Sequence, residues 1–376
     1  MFYINIIALV KLKQIFVFIM SYKFLKTEKT LVDKQLEMYF ANLHKKEKDI
    51  LLNDFINQLE EFILNEKAKR IHPILLNAAF AGIVNPMYLE DQIEQIREVS
   101  ISVELLHSGH LIHDDLLDND EIRRGKPTFH VQLKNEISQV YKDLELPNKD
   151  ELSGLYGRDM SILGGTQGYL LGLDILKSSK FPEQLKLFAI NEYTQAMDYL
   201  MKGQLVEEYM NYHNITMTLE QYLNIMEFQK ARIFEKSTKI GAFLAKGNLH
   251  YQINPLSNAM LLIGQAHAIR DDIIDLEDDI KGKQKKIVYI LAISNTDEDQ
   301  SKRLNEIYHK DHLTNNDVKE AEDIFTKTNA LMIAEHLAKN FIEQAKDSLK
   351  DIYPDLNKEQ KMFFSEFSDF VYTREF

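Results

Sequence analysis

The sequence has no cysteine and no tryptophan, and it has only seven prolines and fourteen glycines in 376 residues. Without cysteine there can be no disulfide, no zinc–thiolate site and no cysteine nucleophile, and a reducing cytoplasm is a compatible setting. So few prolines and glycines, in a chain rich in Leu, Ile, Lys and Glu, argue against a many-turned β architecture and for helices. Basic charge is also in deficit. The net charge of −13 argues against general nucleic-acid binding, which needs a basic footprint. It leaves an anionic substrate open, because a bound metal inverts the local sign.

Long unbroken apolar runs are missing as well. The first twenty residues, MFYINIIALVKLKQIFVFIM, are interrupted by Lys11, Lys13 and Gln14. Charge follows the first apolar run, which is the wrong order for a secretory signal, and the stretch is too broken for a span of about 20 residues. Residues 1–20 therefore read as an extension outside the fold, with packing on the body or contact with a membrane as the alternative. The remainder, 21–376, reads as one α-helical domain.

Helical periodicity runs through nearly all of that remainder. Residues 31–65 read as an amphipathic helix pair, and 74–84 and 90–117 carry long apolar stripes. Gly125 and Pro127 make 121–130 a turn. Helical patterns resume at 151–178, 182–212, 218–246 and 255–279. A basic loop follows at 280–286, then helices from about 287 to the end. The charge run 297–321 reads as a solvated face, and His213, His309 and His312 as surface residues.

Two constellations carry chemistry. In ELLHSGHLIHDDLLDNDEIRRGKPTFH (104–130), Asp114 and Asp118 are four residues apart on one helix face, with Asp115 adjoining. Like charges so placed repel unless a cation neutralises them. Mg²⁺ suits such a site, since it takes one or two carboxylates plus phosphate oxygens and water. The approach through Leu105, Leu106, Leu111 and Ile112 puts this charge at the end of an apolar surface, which fits a diphosphate on a hydrocarbon tail. Arg123 and Arg124 add guanidinium groups that bind phosphate oxygens. In GQAHAIRDDIIDLEDDIKGKQKK (264–286), Asp271, Asp272 and Asp275 repeat the spacing, followed by Asp278, Asp279 and four lysines. The matched spacing predicts two walls of one metal site.

Taken together, these motifs resemble the trans-isoprenyl diphosphate synthase (polyprenyl synthetase) family, of which the chain looks like a divergent bacterial-type member. The resemblance covers about residue 30 to the end. Besides both aspartate motifs it includes AKRIHP at 68–73, KGQ at 202–204, QKARIFE at 229–235 and YTR at 372–374. It implies an all-α bundle of antiparallel helices around a central cavity, the isoprenoid synthase fold, in a cytoplasmic homodimer. It implies Mg²⁺, up to three ions, on Asp114, Asp115, Asp118, Asp271, Asp272 and Asp275. The implied catalytic set is Asp114, Asp115, Asp118, Arg123, Asp271 and Lys230. The implied substrate contacts are Lys69, His72, His107, Arg123, Arg124, Gln204 and Lys283, with Arg123 facing the allylic diphosphate and Arg124, Lys69 and His107 facing isopentenyl diphosphate.

The implied chemistry is ionisation of the allylic diphosphate followed by attack of the isopentenyl double bond. The departures from the family pattern concentrate on the isopentenyl side. His72 stands for an arginine, Gln229 for a lysine (Lys230 is beside it), and His267–Ala268 for Phe–Gln. Thr166 replaces an aspartate, and Lys67–Ala68 a glycine pair. This leaves two other outcomes beside chain elongation: transfer to another acceptor such as a peptide pheromone, or a non-catalytic subunit of a heteromeric synthase. Product length depends in the family on bulk before the first aspartate motif. Gly109 there reads either as an open tunnel, giving a medium or long product partly limited by His110, or as a residue that lets two helices approach.

Overall fold

The computed structural model describes the backbone of residues 2–374 and the side chains of residues 23–374. The expectation for residues 1–20 lies outside the described side chains. Helices dominate: α1 (Phe2–Lys46), α2 (Ile50–Ile63), α3 (Ile71–Ile83), α4 (Pro86–Leu117), α5 (Phe129–Tyr141), α6 (Lys149–Ser178) and α7 (Glu183–Tyr212) come first. Then follow α8 (Leu219–Met226), α9 (Arg232–Leu244), α10 (Asn254–Ile274), α11 (Leu276–Lys281), α12 (Ile287–Ile293), α13 (Glu298–Tyr308), α14 (Asn315–Lys327), α15 (Ala330–Lys350) and α16 (Lys358–Thr373). Two π-helical turns, Glu227–Ala231 and Leu249–Ile253, precede α9 and α10. The expected turn at 121–130 contains a two-residue antiparallel ladder, β1 (Ile122–Arg123) with β2 (Lys126–Pro127).

Local signals explain where the helices begin. Asp49 caps α2 by accepting from Leu51 N–H and Leu52 N–H. Thr218 with Gln221, Asp297 with Gln300 and Thr314 with Asp317 form capping boxes at α8, α13 and α14. The last of these modifies the expectation of a solvated face at 297–321. Asp317 is only 2% exposed, because it closes its capping box while taking ion pairs from Arg303 and Lys310. His213, His309 and His312 are exposed.

The chain divides into two compact units, one built from Tyr22–Met197 with Ser237–Gly247, the other from Asp198–Lys236 with Asn248–Phe376. In the first, the crossing of α4 and α6 is made close by glycine. A Cβ on Gly109 would lie 2.6 Å from the Gly165 carbonyl oxygen and 3.2 Å from the Tyr169 ring. One on Gly168 would lie 3.0 Å from Gly109 Cα. Gly109 is therefore a packing residue, and the space beside it is filled by Tyr169.

In the second unit, α10 and α15 pack through small side chains. Ala330, Ala334, Ala338 and Ala345 are wholly buried on α15, as are Ala259 and Ala266 on α10. A Cβ on Gly264 of α10 would lie 2.6 Å from Ala231 Cα in the first π turn. That contact ties the π turn to the helix that ends in the second aspartate motif.

Candidate active site

The two aspartate motifs end their helices in the same way. Asp114 and Asp115 lie in the last turn of α4, and Asp118 is the residue after it, its N–H bonding to Asp114 O at 2.9 Å. Asp271 and Asp272 lie in the last turn of α10, and Asp275 is the residue after it, its N–H bonding to Asp271 O at 2.9 Å. The third aspartate of each motif thus caps the helix instead of continuing it. The C-terminus of a helix carries partial negative charge, so carboxylates there are unfavourable without cations.

In the first unit, the RRGKP turn supplies one such cation. Arg124 and Gly125 have φ of 53° and 77°, and the ladder pairs Arg123 with Lys126. Two successive positive-φ residues in a two-residue loop are the pattern of a type I′ hairpin, whose twist folds the strand back tightly. Arg123 thereby returns to α4, where Nε donates to Asp115 Oδ1 and Nη2 lies 3.4 Å from Asp114 Oδ2. Asp115 is wholly buried, and its Oδ2 has no hydrogen-bond partner among the described residues. Burial pushes its carboxyl up to about 7, although Arg123 pulls the other way. Asp118 is exposed.

The same unit gathers most of the residues implied for isopentenyl diphosphate. His72 and His107 meet edge to face, 4.6 Å between ring centroids. Burial holds the His107 imidazole well below its ordinary value, and His72, then Arg124, add to that. Burial also lowers the Arg124 guanidinium, against the pull of Glu104. Lys69 is exposed, directly before Arg70, the N-cap of α3.

In the second unit, both oxygens of Asp271 are taken. Arg374 Nη2 lies 2.5 Å from Oδ1 and His267 Nδ1 lies 3.0 Å from Oδ2. Burial alone would raise this carboxyl, yet His267, Lys230 and Arg374 hold it far below the carboxylate range. Asp272, 1% exposed, accepts the Tyr222 hydroxyl on Oδ2 and has no partner for Oδ1. Burial raises it, while Lys230 and Lys286 oppose the rise. Asp275 is exposed. Lys230 therefore acts on Asp271 and Asp272, whereas its neighbour Gln229 turns its amide to Gln204 Oε1 at 3.2 Å and Glu207 Oε2 at 2.6 Å. Both residues lie in the π turn Glu227–Ala231, where successive side chains leave the helix in different directions.

Lys283 is engaged elsewhere. Its ammonium donates to the carbonyl oxygens of Lys310 and Asp311. Lys286 instead pairs with Asp279 at 2.8 Å and feels Asp272 and Asp275. Lys286 and Tyr222 are thus residues of this site that sequence reasoning did not select. The run of four lysines signalled the former, and nothing in the sequence signalled the latter.

A hard divalent cation fits these donors. Each motif offers a buried second aspartate with one unpartnered oxygen, Asp115 Oδ2 and Asp272 Oδ1, at the negative end of a helix. Among the described residues no three His, Asp or Glu side chains converge as a ready-made cage. That suits an ion whose shell is completed by substrate phosphates and water.

Comparison with known proteins gives a consistent picture. The family model for polyprenyl synthetase matches residues 53–325. A short chain isoprenyl diphosphate synthase of Methanocaldococcus jannaschii is 30% identical over 311 residues, 79% of this chain and 78% of that protein. A geranylgeranyl diphosphate synthase of Saccharolobus solfataricus is 24% identical, over 84% of this chain and 92% of its own length. Among solved structures, a Corynebacterium glutamicum geranylgeranyl pyrophosphate synthase, complexed with isoprenyl diphosphate and magnesium, superposes with a TM-score of 0.81 at 21% identity. The match covers 94% of this chain and 99% of that one. The fold is the all-α fold of isoprenoid synthases, and among the described residues no helix is long and apolar enough to cross a membrane. The chain belongs to the polyprenyl synthetase family and is a prenyl-transferring enzyme.

Proposed function

We propose that this enzyme condenses an allylic diphosphate with isopentenyl diphosphate, in a Mg²⁺-dependent reaction, to give a longer polyprenyl diphosphate. The observation that carries this reading is the pair of helix ends, each with a wholly buried aspartate whose second oxygen is unpartnered. Such an arrangement is costly in the metal-free chain, and a bound cation offsets the cost. Asp114, Asp115 and Asp118, with Asp271, Asp272 and Asp275, would hold the metal. Mg²⁺ would supply positive charge to the departing diphosphate.

The chain's own residues do the rest. Arg123, Lys230 and Lys286 offer donors to phosphate oxygens. In the reaction the allylic C–O bond breaks, the isopentenyl double bond forms the new C–C bond to the allylic carbon, and a proton passes to a diphosphate oxygen. No protein nucleophile is required. The likeness to short chain isoprenyl and geranylgeranyl diphosphate synthases supports this reaction class. A homodimer is supported by an unpartnered apolar stripe on α6, where Leu155, Ile162, Leu163 and Leu170 are exposed.

One observation favours a second reading, transfer to another acceptor such as a peptide. His72 and His107 face one another where a guanidinium would serve a second diphosphate, and His107 is held neutral. Labelled isopentenyl diphosphate, a series of allylic primers and Mg²⁺ decide between the two. Extended prenyl diphosphates that disappear with EDTA are expected. Absence of product with every primer would remove the condensing reading.

A further inference from the structure

Arg70 is the largest fully buried side chain among the described residues, and it carries a charge. It also has φ 55° and ψ 32°, the left-handed region, at the N-cap of α3. An arginine gains nothing intrinsic from that conformation, so it persists only where surrounding contacts over-determine it. Three contacts do so. Nε donates to Asp33 Oδ1 at 2.7 Å, Nη1 to Glu104 Oε1 at 2.5 Å, and Nη2 to the Ile63 carbonyl oxygen at 2.7 Å. They draw on α1, α4 and the end of α2, so the residue before α3 is pinned from three elements at once.

Glu104 is equally buried, 1% exposed, and its Oε2 has no hydrogen-bond partner among the described residues. The second guanidinium that feels this carboxylate is Arg124. Arg124 is itself left-handed, at φ 53°. The carboxylate is thus bonded by Arg70 and also acts through its charge on a second left-handed arginine, Arg124. Arg70 is flanked by Lys69 and, two residues on, His72; Arg124 follows Arg123. The segment before Arg70 is fixed too, since Asn65 accepts Lys67 N–H on its side chain at 2.9 Å and Ala68 N–H on its carbonyl at 3.0 Å.

We propose that the buried Arg70–Glu104 ion pair, braced by Asp33, is a positioning device that sets Lys69 to receive the diphosphate of the second, non-allylic substrate. This rests on the condensing reading for the identity of that substrate. Arg70 and Glu104 are positioning residues, since their polar atoms are spent on each other. Removing either lets the backbone at residue 70 relax and turns Lys69 away.

The test is calorimetric titration of the metal-free protein, in EDTA, with isopentenyl diphosphate and separately with inorganic pyrophosphate. Lys69→Ala and Arg70→Asn are each expected to weaken binding by about 10-fold, and Asp33→Asn by about 3-fold, steps of about 1.4 and 0.7 kcal/mol. Asparagine tolerates the left-handed region, so Arg70→Asn isolates the lost guanidinium from the backbone strain. Asp33 is a quarter exposed, so Asp33→Asn folds and decides the matter if Arg70→Asn does not.

If Arg70 acts through Lys69, the double variant Lys69→Ala/Arg70→Asn binds no more weakly than Lys69→Ala. A purely structural role would make the two losses multiply. The inference is overturned if the losses multiply, if Lys69→Ala binds like the wild type, or if Arg70→Asn and Asp33→Asn bind like the wild type. Should the wild type make no prenyl product with any primer, while the pyrophosphate titrations still show the non-multiplying pattern, the condensing reading fails and the positioning device stands.

Discussion

Arg374, the residue that follows α16, lies 2.5 Å from Asp271 Oδ1, while His267 holds the other oxygen of the same carboxylate at 3.0 Å. Arg374 is fixed there by further bonds, donating to His267 O at 3.1 Å and accepting Arg270 Nη2 on its own carbonyl at 3.0 Å. A cation arriving at Asp271 must compete with this guanidinium. Arg374→Gln is therefore expected to lower the half-saturating metal concentration by about 3- to 10-fold, since a hydrogen bond to a charged group contributes about 1.5–3 kcal/mol, part of which the amide keeps. Mn²⁺ binding followed by electron paramagnetic resonance measures this without turnover. Weaker Mn²⁺ binding in the variant would mean that Arg374 supports the carboxylate instead of competing for it.

Gly109 gives a second prediction. With the Gly165 carbonyl oxygen 2.6 Å from where its Cβ would be, Gly109→Ala forces α4 and α6 apart. Overpacking of this kind costs about 1–3 kcal/mol. The expected outcome is a lower Tm with unchanged product length. A shorter product at unchanged Tm would mean that residue 109 lines the prenyl channel after all.

These two cases mark what was legible in the sequence. Asp114, Asp115, Arg123 and the Arg124–Gly125 turn were legible because their relationships are local, set by helix periodicity and turn chemistry. Glycine at 109 was ambiguous because its meaning depends on Gly165 and Tyr169, which only the helix crossing brings near. Arg374 reaches Asp271 from 103 residues away, a pairing that no local pattern encodes. The basic loop is a different case, because which of its lysines meets the acidic cluster depends on backbone conformation. Lys283 takes a left-handed conformation, φ 57°, and its ammonium goes to the Lys310 and Asp311 carbonyls, leaving Lys286 for the acidic cluster.

Away from the site, His44 makes a pH prediction. Its Nδ1 lies 2.8 Å from Asn53 Oδ1 and its Nε2 2.9 Å from Glu60 Oε2, joining the end of α1 to α2. The hydrogen bonds to Asn53, then Glu60, raise its pKa above the ordinary 6.5. A raised basic group stabilises the fold fully below the unfolded value and loses that contribution as pH rises through the folded value. Thermal stability should fall as pH rises from below 6.5 through that window, and His44→Gln should flatten this step. The size expected for a partly exposed pair is about 0.5–1 kcal/mol.

The π turn Glu227–Ala231 predicts different fates for adjacent residues. Lys230 exerts its charge on Asp271 and Asp272, while Gln229 is bound into the Gln204–Glu207 amide network. Lys230→Ala should lower kcat by about 100- to 1,000-fold, the range associated with a lost charge stabiliser near the reacting group. Gln229→Ala should change kcat by less than about 3-fold and act mainly on Tm. Steady-state kinetics of both variants, with folding checked by circular dichroism, distinguishes them. Equal losses in kcat would mean that the two residues act as one unit.

Asp115 sets function against stability. It is wholly buried, its carboxyl is pushed up to about 7, and one oxygen has no partner. In the metal-free chain its negative charge is a cost that only Arg123 offsets, and Arg123 also reaches Asp114. Asp115→Asn keeps the shape, removes the charge and leaves Arg123 a partner. The metal-free variant should therefore melt within about 2 °C of the wild type or above it, since the amide oxygen keeps a bond from Arg123 and the partnerless second oxygen no longer buries charge. Turnover should fall by about two orders of magnitude or more, because a metal ligand is lost. The stabilisation that Mg²⁺ with pyrophosphate gives the wild type in a thermal melt should shrink in the variant. If Asp115→Asn instead melts far lower and keeps its Mg²⁺-dependent stabilisation, then Asp115 is a structural anchor for Arg123, and the metal is held by Asp114 and Asp118 without it.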